Sequence, residues 1–411
     1  MLRKLVLERF KSFEHAEMTF GPFTVVVGPN ASGKSNLRDA LRFLHGIGQG
    51  NSLAEIIGEK WGEGGVLQWR GMRGGLREIA FNGAGTFALE VCFDLGEAFD
   101  WREAVYRIEV DVSQTSTGPR VAFESYTVSK ELLFEAIREV RGSESQLKGN
   151  LPGRREFTYP DTRPVLPQIA NEFRLPVPVG VRINVAAGCL ALVAMRFLDL
   201  NPDSMRVPST PGQVVLGDQG ENLSSVLQGI CADRLRNPGI LEWVRELTPM
   251  DVVDFEFPAD QAGRVLTTLV EQSGRRISAY SASDGTLRFL AILAALLGQG
   301  AGRFYFFEEL ENGLHPTRLA LLMQLIEQQT SQRRVQVVAT THSPQLLGLL
   351  GAEARSHAVE SYRLENAEST SLARLMDLPD AERIISEQGL ARLHASGWIE
   401  DAVEFSAPEA A

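Results

Sequence analysis

The stretch VVVGPNASGKSN, residues 25–36, decides the fold, because a β-branched run breaks into a glycine-bounded loop and a helical pattern follows at once. The spacing fits G-x-x-x-x-G-K-[ST], the pattern of the phosphate-binding P-loop. Gly28 and Gly33 allow the tight turn that points successive backbone N–H groups at phosphate oxygens. The positive dipole end of a helix starting near Lys34 faces the same anion. The strand and the helix that the motif requires are both predicted, so a chance glycine-rich turn is the less favoured interpretation.

The residues of this loop have separate predicted tasks. Lys34 is expected to reach the β- and γ-phosphates of a nucleotide, and the Ser35 hydroxyl is expected to ligate Mg²⁺. The predicted nucleotide-binding residues of the loop are Gly28, Pro29, Asn30, Ala31, Ser32, Gly33, Lys34, Ser35 and Asn36.

Composition excludes several classes of protein. The chain has 411 residues, 44% of them hydrophobic, which is ordinary for a globular protein of two or three domains. No apolar run approaches the roughly 20 residues of a membrane span, and the N-terminus lacks the apolar region of a signal peptide. A net charge of −11 argues against a generally basic nucleic-acid coat and leaves a local basic groove open. The cysteines are scattered without metal spacing, so we predict reduced thiols in a cytoplasmic protein without a membrane partner: Cys92, Cys189 and Cys231.

A second element follows a short apolar run at residues 303–307, RFYFF, which is typical of a buried central strand. Two adjacent carboxylates, Glu308 and Glu309, stand at its end, where their charge is costly unless something requires it. The arrangement matches a Walker B motif. Glu308 is then a predicted Mg²⁺ ligand, and Glu309 a predicted catalytic residue that orients or deprotonates the attacking water. Two solvated acids beyond a strand are the alternative, which the P-loop upstream disfavours.

Two more elements lie between residues 281 and 344. Ser283 is a good N-cap for an apolar helix, and Gly285 allows close backbone approach, so this turn is either an anion site or a plain capped helix. Residues 335–341 predict another buried strand, which ends at His342. A histidine at that edge of an α/β sheet is placed to bond a γ-phosphate or the attacking water. A structural histidine is the alternative.

Together these elements resemble the ATP-binding-cassette heads of SMC and RecF proteins, and the residues of the motifs are most similar to those of the OLD-type AAA family ATPases. The middle of the chain, about 50–200, hardly matches. The resemblance implies ATP and Mg²⁺ as cofactors and a pair of heads that sandwich two ATP molecules. It also implies a P-loop NTPase fold of α/β class, with a mixed sheet flanked by helices, an antiparallel β lobe and a helical or irregular insertion. The carrying stretches are RFKSF at 9–13, GPNASGKSN at 28–36, SDGT at 283–286, FEELENGLHP at 307–316 and THSP at 341–344.

The resemblance also implies roles for single residues. Ser283, Asp284 and Gly285 would complete the site of the partner subunit, and His342 would be the switch histidine. Asn312 and His315 would lie in a turn at the interface. Three departures matter: Glu308 replaces the usual Asp, Asp284 replaces the usual Gly of the signature, and Gln68 is only the best candidate for a Q-loop glutamine.

The predicted domains are four consecutive segments. They are an N-terminal ATPase lobe with the P-loop and an antiparallel β subdomain (1–130), an insertion (131–250), a C-terminal ATPase lobe (251–375) and a helical tail (376–411). Within the insertion, 131–141 and 239–247 are predicted helices, and 142–180 is a predicted flexible stretch. Its cations either contact phosphates or, the favoured interpretation, belong to a solvated arm with offsetting acids. They are Arg138, Arg141, Lys148, Arg154, Arg155, Arg163 and Arg174.

Three hypotheses for function follow. The first is an ATP-hydrolysing head whose nucleotide-driven dimerisation, or higher homo-oligomerisation, regulates a separately encoded effector in bacterial anti-phage defence. It is favoured because residues after His342 contain no D-x-D of a Toprim nuclease and the chain has no long heptad run. The second is a RecF-like ATPase that binds DNA in repair. The third is an ATP-binding scaffold in which Glu308 has blunted hydrolysis.

Overall fold

The computed structural model describes residues 1–113, 118–141, 144–153, 155–171, 177–232, 243, 252–298, 304–332, 335–364 and 367–406. Two compact units, each built from discontinuous stretches, are present. The first unit comprises Met1–Gly21, Val27–Met195 and Val359–Arg374; the second comprises Pro22–Val26, Arg196–Ala358 and Leu375–Ala411. The four consecutive domains inferred from the sequence stay a prediction.

An antiparallel sheet of eight strands dominates the first unit. Numbered along the chain, its strands are β1 Leu2–Phe10, β2 Phe13–Thr19, β6 Thr86–Asp94, β7 Glu103–Asp111, β8 Arg120–Val128, β9 Glu131–Arg141, β10 Glu144–Leu151 and β11 Arg155–Pro160. Their spatial order is β11-β10-β9-β8-β7-β6-β1-β2. Hairpins β4 Lys60–Trp61 with β5 Leu67–Trp69, and β18 Val359–Tyr362 with β19 Ser371–Arg374, complete its strands. The antiparallel lobe predicted from the sequence is thus present.

Alternating burial explains why these residues form strands. In β7 the residues Ala104, Tyr106, Ile108 and Val110 are fully buried, while the residues between them are at least partly exposed. A period of two places one face of a strand on the core. The aromatic rings of the unit interlock at this face: Phe87 meets Phe10 edge-on with centroids 5.3 Å apart.

The prediction of a helix at 131–141 was wrong, because these residues form β9. The stretch ELLFEAIREVR is rich in helix formers, yet it pairs along its length with β8 on one side and β10 on the other. Strand formation depends on packing against neighbouring strands, which overrides weak local propensity. The described part of 142–180, which the sequence predicts to be a flexible stretch, contains β10, β11 and helix α3 Val165–Asn171.

Cations of this stretch pair with acids of the sheet. Arg138 Nη2 lies 2.6 Å from Asp111, Lys148 Nζ 3.4 Å from Glu156, and Arg141 Nη2 3.3 Å from its neighbour Glu139. These contacts favour the solvated, structural interpretation over phosphate binding. Arg154 and Arg174 lie outside the described residues.

Parallel strands form the core of the second unit. Its strands are β3 Phe23–Val27, β12 Met195–Leu198, β16 Phe304–Phe307 and β17 Gln336–Thr341, in the spatial order β12-β16-β17-β3. A separate antiparallel sheet contains β13 Val252–Glu256, β14 Thr268–Glu271 and β15 Arg276–Ser278. Strands β16 and β17 are parallel, with Phe307 beside Ala339. Every residue of both strands is buried, as the apolar runs predict.

The described helices include those that the sequence predicts after the P-loop, after Ser283 and in the C-terminal tail, together with others for which the sequence makes no prediction. In the first unit they are α1 Lys34–Gly48, α2 Leu53–Ile57, α3 and α4 Val179–Val193. In the second unit they are α5 Pro202–Met205, α6 Leu223–Ala232, α7 Asp284–Leu297, α8 Pro316–Ser331, α9 Pro344–Gly348, α10 Ala352–Ser356, α11 Ala381–Gln388, α12 Leu390–Ala395 and α13 Trp398–Ser406. The helix predicted at 239–247 lies outside the described residues except for Trp243. Among the helices described, none has the length and apolar character to cross a membrane.

The three cysteines are free thiols, as predicted. Burial raises the pKa of Cys92 and of Cys189 to about 12, and that of Cys231 to about 11. They are therefore protonated near neutral pH and are unreactive structural residues.

Candidate nucleotide site

Two glycines shape the P-loop of the first unit. Gly28 has φ 149° and Gly33 has φ 97°, both in the region that side chains rarely adopt. A Cβ on Gly28 would overlap the carbonyl oxygen of Ser361, and one on Gly33 would lie 2.8 Å from the Thr370 methyl. Only glycine fits these two positions, so the loop can bring its backbone close to its neighbours and to an anion.

Helix α1 begins at Lys34, as the motif predicts, and no side chain caps its N-terminus. The Lys34 ammonium donates to the carbonyls of Gly28 at 2.6 Å and Pro29 at 2.7 Å, so it lies against the loop. Asn36 Nδ2 donates to Ser12 Oγ at 2.8 Å. The N-terminal end of α1, with its partial positive charge, and the Lys34 ammonium are groups that bind a phosphate well.

A buried ion pair supports α1 from below. Lys11, whose side chain is 6% exposed, places its ammonium 2.9 Å from the carboxylate of Asp39, which is 1% exposed. Arg73 Nη2 lies 3.3 Å from the same carboxylate and donates to the carbonyl of Ser35 at 2.7 Å. In the sequence, Lys11 stands only in the stretch RFKSF, and Asp39 and Arg73 belong to no motif.

The loop fits a phosphate on a further ground. The hydroxyl of Ser32 is buried and makes no hydrogen bond to any described residue, although buried hydroxyls are nearly always bonded. Its backbone carbonyl, in contrast, accepts from the Ser361 hydroxyl at 2.6 Å. A hydroxyl without a partner, in a glycine-bounded loop before the N-terminus of α1, is a donor that a phosphate oxygen would satisfy.

No group of three or more His, Cys, Asp or Glu is placed to hold a metal ion within the described residues. Mg²⁺ in nucleotide sites takes only one or two protein ligands and completes its shell with phosphate oxygens and water. The predicted ligands, Ser35 and Glu308, are both partly accessible and chemically suited to Mg²⁺. Each is a kind of ligand that a nucleotide-bound Mg²⁺ takes, and their shared role stays a prediction.

The acids of the second unit follow β16 directly. Glu308 is half-buried and Glu309 is exposed, with a backbone φ of 48° that is uncommon outside glycine. The Glu309 N–H donates to Thr340 Oγ1 at 3.1 Å, and the Asn312 N–H donates to the Glu309 carbonyl at 2.8 Å. Strained backbone of this kind persists where surrounding bonds over-determine it, and it is concentrated at functional sites.

His342 follows β17, the parallel neighbour of β16. Its side chain is 53% exposed, and Nδ1 lies 3.9 Å from Glu311 Oε1. The same oxygen accepts from the Thr341 hydroxyl at 2.8 Å and from the His342 N–H at 3.3 Å. Two loops that carry predicted catalytic residues are therefore joined by Thr340 and Glu311, to which sequence reasoning assigned no role.

The turn at 283–286 caps α7, as predicted. The Thr286 N–H donates to Ser283 Oγ at 3.2 Å, and Asp284 lies 2.6 Å from Arg206 Nη2. Ser283 and Asp284 are exposed, whereas a Cβ on Gly285 would overlap the carbonyl oxygen of Gly313 in the turn after β16. The signature turn and that second turn therefore pack together, with two polar side chains facing outward.

The remaining predicted residues have simpler surroundings. His315 is the N-cap of α8, where its Nδ1 accepts from the Thr317 N–H at 3.4 Å. Asn312 Nδ2 lies 3.4 Å from Glu309 Oε2. Gln68 is exposed on the short strand β5, and its part in a Q-loop stays a prediction.

Comparison with known proteins identifies both ends of the motif set. Residues 1–59 match the family model described as RecF/RecN/SMC N terminal domain. Residues 196–348 match the model described as AAA domain, putative AbiEii toxin, Type IV TA system.

Curated relatives match over short stretches. Structural maintenance of chromosomes protein 1 of Arabidopsis thaliana is 45% identical over 60 residues, which are 13% of this chain and 5% of that protein. The protein of the same name from Caenorhabditis elegans is 50% identical over 48 residues, which are 11% of this chain and 4% of that protein. The match thus spans at most 5% of the length of these two relatives.

Solved structures match over nearly the whole chain. The SMC head bound to the C-winged helix domain of ScpA is 15% identical, with a TM-score of 0.51, and the match covers 90% of this chain and 96% of that one. The SMC head of Pyrococcus furiosus with an extended coiled coil, bound to the C-terminal domain of ScpA, is 13% identical, with a TM-score of 0.51, and the match covers 94% and 98%. At such identities the likeness shows the fold.

The fold is that of a P-loop NTPase with the sheet and helices of an SMC head. Together with the two family matches, over residues 1–59 and 196–348, it supports the resemblance to SMC and RecF heads that the sequence motifs predict. The narrower resemblance to OLD-type ATPases stays a prediction.

Proposed function

We propose that this chain binds ATP with Mg²⁺ and hydrolyses it. The observation that carries the proposal is the joint placement of Glu308, Glu309 and His342 after neighbouring parallel strands, with their loops joined by Thr340 and Glu311. Strand ends of this kind are where α/β proteins bind ligands. Carboxylates and a histidine at that edge suit phosphoanhydride hydrolysis, which needs positioning and charge stabilisation.

Each predicted residue has one role in this proposal. Lys34 and the backbone of residues 28–33 bind the phosphates, while Ser35 and Glu308 ligate Mg²⁺. Glu309 orients the attacking water and accepts its proton. His342 bonds the γ-phosphate or that water. Bound Mg²⁺ would supply neutralisation of the charge that develops on the phosphate oxygens.

We further propose that two heads pair around two nucleotides. The exposed Ser283 and Asp284, with Gly285 behind them, would complete the site of the partner subunit. Asn312 and His315 would lie at the interface. The γ-phosphate would then be held from both subunits, so hydrolysis would release the pair.

The test is ATP turnover as a function of protein concentration, for the native chain and for Glu309→Gln, with the mass of each in ATP. We expect specific turnover of the native chain to rise with concentration. Glu309→Gln should lose turnover and form a larger ATP-bound species. Glu382→Gln, the same substitution on an exposed face of α11, should behave as the native chain does. Concentration-independent turnover would exclude the shared site, and normal turnover in Glu309→Gln would remove its catalytic role.

The output that we favour is regulation of a separately encoded effector in bacterial anti-phage defence, within the cytoplasm. Two similarities support it: the matched AAA domain model is described as a putative AbiEii toxin of a type IV system, and the similar SMC heads are bound to a second protein, ScpA. An effector should co-purify with the chain and be released when ATP is added. Recovery of the chain alone from its native cells, at every nucleotide state, would count against this output.

A RecF-like role on DNA is the second candidate, favoured by the match of residues 1–59 to the RecF/RecN/SMC model. It predicts that duplex DNA accelerates ATP hydrolysis severalfold, with an effect that weakens as salt rises. A non-hydrolysing scaffold is the third, and it predicts tight ATP binding without turnover. The same ATPase assay, run with and without DNA, separates all three.

A further inference from the structure

Glu311 is a third acid in the loop after β16, and its carboxylate reaches the loop after β17. Its Oε1 accepts from the Thr341 hydroxyl at 2.8 Å and from the His342 N–H at 3.3 Å. Thr341 Oγ1 in turn accepts from the Ser343 N–H at 2.9 Å. The Glu311 side chain is only 13% exposed, so these bonds are largely shielded from water. Oε1 of Glu311 therefore holds the chain segment that carries His342 in place through two hydrogen bonds.

The other oxygen of Glu311 is the unusual one. Oε2 is buried and has no hydrogen-bond partner among the described residues. A buried carboxylate oxygen without a donor is unfavourable, and such an atom requires an explanation. Nδ1 of His342 lies 3.9 Å from Oε1, the other oxygen of the same carboxylate, which is beyond hydrogen-bond distance. The imidazole is 53% exposed, so a rotation of the ring would bring this donor to the carboxylate.

We propose that Glu311 is a positioning residue that holds the His342 imidazole through its Nδ1, an inference that rests on the proposed function. A carboxylate beside Nδ1 favours the ring form that carries a proton on that nitrogen. Nε2, on the opposite side of the ring, is then the atom presented to the nucleotide or to its attacking water. In this assignment Glu311 acts through His342 and makes no contact of its own with the nucleotide.

Kinetics test this inference in the full chain. Glu311→Gln keeps an oxygen that accepts from Thr341 and His342 and removes the charge. We expect kcat to fall about 10- to 100-fold, the loss found when the partner that orients a metal-ligating histidine is removed, while KM for ATP changes less than about twofold. Glu382→Gln is the matched control. If Glu311→Gln instead weakened ATP binding and lowered the melting temperature along with kcat, its role would be purely structural and the inference would be overturned.

The double variant distinguishes action through His342 from independent action. If Glu311 works through the imidazole, Glu311→Gln combined with His342→Ala should be no slower than His342→Ala alone. Multiplicative losses in the double variant would refute the assignment.

A second measurement does not depend on turnover. The ¹⁵N chemical shifts of His342, assigned by comparison with His342→Ala in nucleotide-free protein, report which ring nitrogen carries the proton. We expect Nδ1–H in the native chain and Nε2–H in Glu311→Gln. The same tautomer in both would overturn the inference even if ATP is hydrolysed. A native chain without ATPase activity would instead refute the proposed function, and the tautomer of His342 would still decide whether Glu311 positions the imidazole.

Discussion

The buried Glu124 carboxylate of β8 makes the first unit less stable as pH rises towards neutrality. It is fully buried, with Oε1 accepting from the Tyr106 hydroxyl at 3.0 Å and the Leu166 N–H at 2.8 Å, and Oε2 accepting from the Val165 N–H at 2.6 Å. These three donors favour the charged form, yet burial outweighs them and raises the pKa of Glu124 from 4.5 to about 7.

The sign follows from proton linkage. A carboxyl whose pKa is higher in the folded state contributes stability that is complete below its unfolded pKa and is lost as pH rises through the folded pKa. For Glu124 the interval is from 4.5 to about 7. At about 1.4 kcal/mol per pH unit, this interval corresponds to about 3 kcal/mol of unfolding free energy lost between about pH 4 and pH 8.

Urea unfolding of the native chain and of Glu124→Gln, at a series of pH values from about 5 to 8, measures this directly. The amide keeps one acceptor oxygen but cannot ionise, so the difference in unfolding free energy between the two proteins should fall by about 2–3 kcal/mol across the series. Glu131→Gln, at an exposed position of β9, should give a constant difference. A constant difference for Glu124→Gln as well would refute the reasoning, because the carboxylate would then be ionised throughout.

Three substitutions test the site itself. Gly28→Ala places a Cβ against the carbonyl oxygen of Ser361 at a backbone φ of 149°, so we expect a fluorescent ATP analogue to bind at least about tenfold more weakly. Gly212→Ala, at φ 87° with open surroundings, is the control and should bind the analogue as the native chain does. Equal losses of affinity in the two variants would contradict the steric argument. Lys11→Met removes one of the two cations that pair with the Asp39 carboxylate and leaves Arg73 in place, so it should lower the unfolding free energy by about 1–3 kcal/mol in urea. Adding Asp39→Asn should restore part of this loss, and an unchanged midpoint would show that the pair is not needed. Glu309→Gly should abolish ATP turnover because it removes the carboxylate. The same variant should raise the unfolding free energy by about 1 kcal/mol, since glycine adopts a φ of 48° without strain. A lower unfolding free energy would show that the side-chain contacts of Glu309 outweigh the backbone strain.

Much of the candidate site was predictable because each motif is a local requirement. The P-loop needs glycines where the backbone turns, and a helix that begins at Lys34. The acids at 308–309 and the histidine at 342 each end a buried apolar run. Such features lie within about ten residues of chain, and steric and propensity rules act over that distance.

Other parts of the site came from contacts that no local pattern contains. Thr370 donates to Ser12 beneath the P-loop across 358 residues of sequence, and Glu311 meets Thr341 across 30. Glu311 stood in a quoted motif, but its sequence neighbours gave no sign that one oxygen holds the His342 loop and the other is unfilled. The ion pair of Lys11 with Asp39 could not be predicted from the residues around either one.

By itself, the sequence determined the class of the fold, the glycine-bounded loop before α1 and the strands that end in acids and in His342. Only the tertiary structure decided that 131–141 is β9, that Glu124 is buried beside Tyr106, and that Glu311 bridges two loops. The reason is physical. Backbone geometry at a glycine turn or a helix cap is set by adjacent residues, whereas strand pairing and buried charge depend on the burial of surfaces far apart in the chain, which local propensities do not encode.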